Sequence, residues 1–199
     1  MRVSHYFDER PGVDSARTTV DVALADLAFT LTTDRGVFSH GHVDTGTLLL
    51  LQQAPPPPPQ GHLLDLGCGA GPIAITLAMR SPGATVWAVD VNERARELTA
   101  ANARRNAVDN ISVVAPEEVP AEVRFAAIWS NPPIRVGKRA LHDLLLTWFA
   151  RLTDQGAAVL VVQKHLGADS LQRWLTEQGY PTERIASRAG FRLLRSVGE

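Results

Sequence analysis

Two hydrophobic periods alternate along the chain. Thr18 to Leu24 and Leu27 to Thr33 are rich in β-branched residues and lie on either side of a short polar gap, which predicts a small amino-terminal hairpin. Asp34-Arg35-Gly36 reads as a turn, and Asp44 as the cap of a short helix running through Leu48 to Gln53. Pro55 to Pro59 is an unbroken proline run, which excludes helix and central strand and predicts an extended, exposed segment. It reads as a rigid connector, with a ligand for a proline-recognition domain as the alternative. From His62 onward strands and helices alternate. Strands are predicted at His62–Leu66, Ala84–Val89, Ile111–Val114, Arg124–Ser130 and Ala157–Gln163, and helices at Pro72–Arg80, Glu93–Asn106, Arg139–Leu152 and Asp169–Gln178. That order implies an α/β fold with a mostly parallel sheet covered on both faces. Thr182–Ser187 and Phe191–Ser196, separated by Ala189-Gly190, predict a hairpin that makes the carboxyl-terminal edge antiparallel.

Length and charge narrow the picture. With 199 residues, 45% of them hydrophobic, the chain can bury the core of one α/β domain plus a short extension. The expected division is residues 1–54 as an amino-terminal extension packed on the core, 55–60 as the proline connector and 61–199 as the core. A net charge of −1 gives no global attraction to nucleic acid, so any such contact needs a local basic patch. Cys68 is the sole cysteine, which rules out an internal disulfide and any Cys/His metal cluster, so no metal is expected. Met1 to Asp8 has no apolar signal core, and the longest aliphatic run, Leu48 to Leu51, is too short to span a bilayer. The expectation is a cytoplasmic protein without membrane contact; oligomeric state is not legible.

Chemistry concentrates at two strand ends. Asp65-Leu66-Gly67-Cys68-Gly69-Ala70-Gly71 follows an apolar strand and opens a helix, where glycines let backbone approach a ligand and free N–H groups point outward. Its glycine spacing is neither the dinucleotide fingerprint nor a phosphate loop. Asp90, with Val91 beside it, ends the next strand, where an acid is placed to accept both hydroxyls of a ribose. Asn92 fits the cap of the following helix, which leaves Asp90 for a ligand.

Asn131-Pro132-Pro133 ends the fourth core strand, at the sheet edge where open α/β folds bind ligands. An aromatic or amide nitrogen is a poor nucleophile because its lone pair is delocalised. Accepting hydrogen bonds from its two N–H groups frees that pair, and the Asn131 side-chain oxygen and Pro132 carbonyl are suitable acceptors. Arg135, Lys138 and Arg139 follow, and could hold phosphates or simply charge a helix start. His5, His40 and His42 read as surface or hydrogen-bonding residues, Cys68 as a small loop residue, and Trp87, Trp129, Trp148 and Trp174 as core.

The Asp65 to Gly71 loop with Asp90 resembles the cofactor site of class I S-adenosylmethionine-dependent methyltransferases, whose fold is a Rossmann-like doubly wound sheet. The resemblance implies that Asp65, Gly67, Cys68, Gly69 and Gly71 hold the methionine end and that Asp90 binds the ribose. It puts an acid near the adenine, for which Glu117 is the nearest candidate although the family more often has aspartate there. The Asn-Pro-Pro segment is similar to that of amino-methyltransferases acting on adenine, guanine or glutamine nitrogens. Many of these carry an aromatic residue where this chain has Ile134. Gly36-Val37-Phe38-Ser39, Val43-Asp44-x-Gly46-Thr47, Asn131-Pro132-Pro133-Ile134-Arg135-x-Gly137-Lys138 and Gly190 to Leu194 resemble the methyltransferase small domain. That domain is the catalytic half of bacterial ribosomal-RNA guanine N2-methyltransferases. The implied reading is an S-adenosylmethionine-dependent enzyme that methylates a base amine in ribosomal RNA, with Pro133, Ile134, Arg135, Lys138 and Arg139 on the substrate. The alternatives are a methyltransferase of a protein glutamine or small-molecule nitrogen, and an inactive cofactor- or RNA-binding module.

Overall fold

A computed structural model describes residues 14–37 and 41–198. The elements follow in the order β1 (Thr18–Ala23), β2 (Ala28–Thr33), α1 (Thr45–Gln53), β3 (Gln60–Leu66), α2 (Pro72–Arg80), β4 (Gly83–Val89), α3 (Glu93–Arg105) and β5 (Ile111–Val114). They continue with β6 (Phe125–Ser130), α4 (Lys138–Phe149), β7 (Leu152–Gln163), α5 (Ala168–Glu177), β8 (Thr182–Arg188) and β9 (Phe191–Val197). Single 3₁₀ turns lie at Pro116–Glu118, Ile134–Val136 and Lys164–Leu166. β1 and β2 form a separate antiparallel pair, and the other strands form one sheet in the order β5-β4-β3-β6-β7-β9-β8. From β5 to β7 all neighbours are parallel, while β9 pairs antiparallel with both β7 and β8. The strand order reverses between β3 and β6. Their carboxyl ends therefore lie side by side, at the crevice where open α/β sheets bind ligands.

Period-two alternation divides the strand residues between two cores. Leu63, Ala127, Trp129, Val159, Val161 and Leu193 pack with Leu49, Leu50 and Leu51 of α1 and with Ile73, Ala74 and Leu77 of α2. Their sequence neighbours Leu64, Ile128, Leu160, Val162 and Leu194 face the opposite way, against Leu141, Leu145 and Phe149 of α4 and Leu171 and Leu175 of α5. Trp129 and Trp148 are buried and Trp87 and Trp174 partly so, all in core packing as the sequence suggests. The chief departure from expectation is at α4, which stops at Phe149 so that Leu152 can pair with Phe125. The β6–β7 register then jumps from Phe125↔Leu152 to Ala127↔Ala157, placing a bulge ahead of the regular strand.

The amino-terminal hairpin is fastened to the core through polar groups as well as apolar ones. Val22, Phe29 and Leu31 pack on Ile75 of α2. Arg80 makes a two-pronged ion pair with Asp26 in the hairpin turn, through Nε at 2.7 Å and Nη2 at 2.9 Å, and donates to the Leu51 carbonyl. On the free edge of β2, Asn102 accepts from the Thr32 N–H at 2.7 Å and donates to the Thr32 carbonyl at 2.9 Å. One helical turn on, Asn106 does the same for Thr30, at 3.0 and 2.8 Å. Asn102 also donates to the Ala70 carbonyl at 2.8 Å, so one buried amide joins hairpin, helix and glycine loop.

Asn102→Ala leaves the Thr32 N–H and the Thr32 and Ala70 carbonyls without this partner. It should lower unfolding stability by about 2–4 kcal/mol in urea denaturation. The same change at Asn106, nearer the surface, should cost about 1 kcal/mol. Equal midpoints for Asn102→Ala and wild type would show that these bonds carry no net stability.

Candidate active site

β3 delivers Asp65 and the glycine loop to the sheet edge. Asp65 is fully buried, and one of its oxygens accepts from the Ala74 N–H in the first turn of α2 at 2.9 Å. The other oxygen, Oδ1, is buried without a hydrogen-bond partner. Gly67 and Cys68 both donate to the Val89 carbonyl, which ties the loop to the end of β4. Gly71 caps α2 in the left-handed region at φ 87°, and a Cβ there would stand 2.9 Å from Thr99 Cγ2. A side chain at this position is therefore excluded twice over. Thr99 donates to the Gly69 carbonyl and lies 3.5 Å from the Cys68 sulfur. Cys68 is buried, and burial, reinforced by the charges of Asp90 and Asp65, pushes its thiol up. It is a packing residue in its reduced, protonated form.

Asp90 stands opposite. It is 5% exposed and accepts from the Gly69 N–H at 3.0 Å and the Asn92 N–H at 2.9 Å, one on each oxygen. Asn92 caps α3 with its side chain, as its position predicts. Each Asp90 oxygen keeps a second lone pair, so the carboxylate can hold the loop and still accept from a ligand hydroxyl. Burial raises its carboxyl above the ordinary range, against the pull of the Asn92 and Gly69 N–H groups. Burial also raises Asp65 well above that range, with the Asp90 charge adding to the effect. Two buried acids, one with an oxygen that makes no hydrogen bond within the protein, suit a ligand that brings a cation and hydroxyl donors.

Farther along the edge, Glu117 is exposed in the turn Pro116–Glu118, while its neighbour Glu118 accepts from the Ala115 N–H at 2.6 Å. Val91 is half-buried beside Asp90.

β6 brings Asn131 beside the loop. Ser130 donates to the Leu66 carbonyl at 2.6 Å, locking the ends of β3 and β6 together. Asn131 is half-buried and its Nδ2 donates to Asp44 Oδ2 at 2.9 Å and to Thr47 Oγ1 at 3.0 Å. Pro132 is buried, and its carbonyl accepts from the Ile134 N–H at 2.8 Å, leaving one lone pair. Ile134 and Val136 lean on the α4 core, so Ile134 is half-buried against protein. Arg135 lies in the same turn, and Lys138 and Arg139 open α4 with exposed side chains. Arg139 reaches Asp143 only at 3.9 Å with both groups in solvent, a contact of little strength. His42 is exposed; His5 and His40, with Phe38 and Ser39, lie outside the described residues.

The residues at both strand ends are legible in the sequence, and those that brace them are not. Thr99, Asn102 and Ser130 are second partners that no motif marks. Asp44 was legible as a helix cap, which it is, accepting from the Gly46 and Thr47 N–H groups; its bond to Asn131 was not. The Asp44-x-Gly46-Thr47 spacing was the available signal.

Among the described residues no three His, Cys, Asp or Glu side chains are grouped to hold a metal, and no helix is long and apolar enough to cross a membrane. Residues 28–195 match the family described as Methyltransferase small domain. The chain is 35% identical over 195 residues to "Uncharacterized protein YbxB" of Bacillus subtilis (strain 168), covering 96% of this chain and 97% of that one. It is 36% identical over 190 residues to Ribosomal RNA small subunit methyltransferase C of Ectopseudomonas mendocina (strain ymp), covering 92% of this chain and 55% of the relative. The chain therefore spans about half the length of that enzyme. Among solved structures, the T. Thermophilus 16S rRNA N2 G1207 methyltransferase in complex with AdoMet and guanosine superposes with a TM-score of 0.78 at 24% identity. The match covers 95% of this chain and 52% of that one, a likeness of fold.

The buried Asp65 generates a pH prediction. Its folded-state carboxyl is raised, so above about pH 4 the native state retains a proton that the unfolded state has lost. Its contribution to stability therefore falls as pH rises. Asp65→Asn keeps an acceptor for Ala74 and removes the titration. The variant's melting temperature should match wild type near pH 4 and exceed it as pH rises from there. A difference that does not change with pH would mean that Asp65 is not held protonated in the free protein.

Proposed function

The chain belongs to the methyltransferase small domain family, and on that premise we propose that it methylates the exocyclic N2 amine of a guanine in small-subunit ribosomal RNA. It is an S-adenosylmethionine-dependent methyltransferase. The observation that carries the reading is the Asn131 amide, pinned through its nitrogen so that its oxygen remains the available acceptor beside the glycine loop.

The residues present fit the cofactor. The unpartnered Oδ1 of Asp65 suits the cationic α-amino group of the methionine end, and the remaining lone pairs of Asp90 suit the ribose hydroxyls. Loop backbone at Gly67, Gly69 and Gly71, with Cys68 buried in the loop, is assigned to the methionine end, and Val91 and Glu117 to the adenine end. S-adenosylmethionine supplies an electrophilic methyl group on a sulfonium. Asn131 Oδ1 and the free lone pair of the Pro132 carbonyl accept the two N–H groups of the target amine. They draw its lone pair out of conjugation and toward the methyl group. No strong base is required, because the proton leaves the nitrogen after it has become cationic. Pro133 and Ile134 are assigned to the apolar side of the acceptor, and Arg135, Lys138 and Arg139 to contacts with RNA phosphates. Support for the acceptor comes from the relatives: an enzyme named for small-subunit ribosomal RNA aligns with nearly the whole chain.

Labelled S-adenosylmethionine offered to RNA, protein and metabolite fractions tests the assignment. Label should enter small-subunit ribosomal RNA as N2-methylguanine, and Asn131→Ala should lower kcat by about two to three orders of magnitude with little change in cofactor affinity. Label found on a protein glutamine instead would overturn the RNA reading while keeping the amine chemistry.

The basic residues make a separate prediction. Affinity for RNA should fall with salt, and Lys138→Ala should flatten the slope of log affinity against log salt by about one unit. A KM independent of salt would place the acceptor among neutral molecules.

A further inference from the structure

An asparagine at a strand end has a broad terminal torsion, and its two amide orientations offer opposite chemistry to an incoming amine. With oxygen outward it accepts from the amine; with nitrogen outward it repels the amine's hydrogens. Something must choose between them. The only side chains hydrogen-bonded to Asn131 among the described residues are Asp44, the cap of α1, and Thr47 in its first turn, 87 and 84 positions away in sequence. Asp44 Oδ2 accepts three hydrogen bonds, from the Gly46 N–H at 2.8 Å, the Thr47 N–H at 3.1 Å and Asn131 Nδ2 at 2.9 Å. A carboxylate can only accept, so nitrogen is the end of the amide that faces it. The second Nδ2 hydrogen goes to Thr47 Oγ1 at 3.0 Å. Both donors are thereby used, and Oδ1 is left as the free end.

We propose that Asp44 and Thr47 are positioning residues for methyl transfer, fixing the Asn131 amide with its oxygen toward the acceptor amine. The proposal rests on the assignment of Asn131 made above. α1 is built to hold this geometry. Thr47 is buried, and Leu49, Leu50 and Leu51 root the helix in the core beneath the sheet edge. Gly46 lets the first turn press against β9, since a Cβ there would lie 2.7 Å from the Phe191 ring. The cap of one helix is thus a rigid bracket for the side chain of a distant strand end. A reacting group displaced by about 1 Å can lose on the order of a hundredfold in rate, so a bracket of this kind has catalytic leverage without touching substrate.

The test separates capping from positioning. Asp44→Ser keeps a good helix cap but is too short to reach Asn131, and Thr47→Val keeps shape while removing Oγ1. With tritiated S-adenosylmethionine and transcribed small-subunit ribosomal RNA, Asp44→Ser should lower kcat by about ten- to a hundredfold and Thr47→Val by about tenfold. KM, cofactor affinity and melting temperature should stay near wild type. Asp44→Asn, which retains one acceptor oxygen, should recover most of the rate. In an Asn131→Ala background Asp44→Ser should cause no further loss. A readout independent of any acceptor is the side-chain NH₂ signal of Asn131 in ¹⁵N-labelled protein, assigned by its disappearance in Asn131→Ala. Asp44→Ser should move it toward free-amide shifts and speed its exchange with water. If Asn131→Ala is slow while Asp44→Ser and Thr47→Val turn over like wild type, the positioning role is overturned and the assignment of Asn131 survives. An Asn131→Ala enzyme at full rate overturns both. If no variant labels RNA, the amide signal decides: an unmoved resonance in Asp44→Ser overturns the bracket.

Discussion

Asp65 commits one carboxyl oxygen to the Ala74 N–H and leaves the other buried with no partner, and the carboxyl edge of the sheet is arranged around that imbalance. Removing a carboxyl group from water is costly, most of all in its charged form, so burial makes Asp65 hold its proton. Asp90 compounds the imbalance by placing a second buried acid nearby. Hydrogen bonds from Gly69 and Asn92 to Asp90 offset part of this. Two buried acids at one strand edge are therefore a cost that folding has already accepted.

The region ahead of the glycine loop is an integral wall of this site. α1 contributes three consecutive leucines to the same core as β3 and β6, and its cap touches the residue that ends β6. The β1–β2 hairpin is bound to the loop through Asn102, which donates to the Ala70 carbonyl while pairing with Thr32. Glycine loop, Asn131, α1 and the β1–β2 hairpin are therefore joined by side-chain hydrogen bonds.

Much of this was legible in the order of residues. Alternation located every strand to within a few positions except β7, and Asp44, Asn92 and Pro72 announced their helix starts because capping is local chemistry. The glycine loop and Asn131-Pro132-Pro133 declared themselves because tight turns demand particular residue types. What stayed hidden was long-range. Asn102 in α3 and Asn106 at its end serve a strand seventy or more residues away. The bulge at Thr153 to Gly156 follows from pairing with Phe125, which no local period records. Asp44 is the instructive case, since a complete local explanation as a cap concealed its second partner.

The outer edge of β2 has a consequence for how the protein behaves in a crowded solution. A two-stranded ribbon normally exposes two rows of unpaired backbone groups, each a template on which another extended chain can grow. Here the amides of Asn102 and Asn106, one helical turn apart, imitate a neighbouring strand and occupy the N–H and carbonyl of Thr32 and Thr30. Two side chains thereby withdraw that edge from self-association, and a chain that loses them gains an adhesive surface as well as a weaker fold.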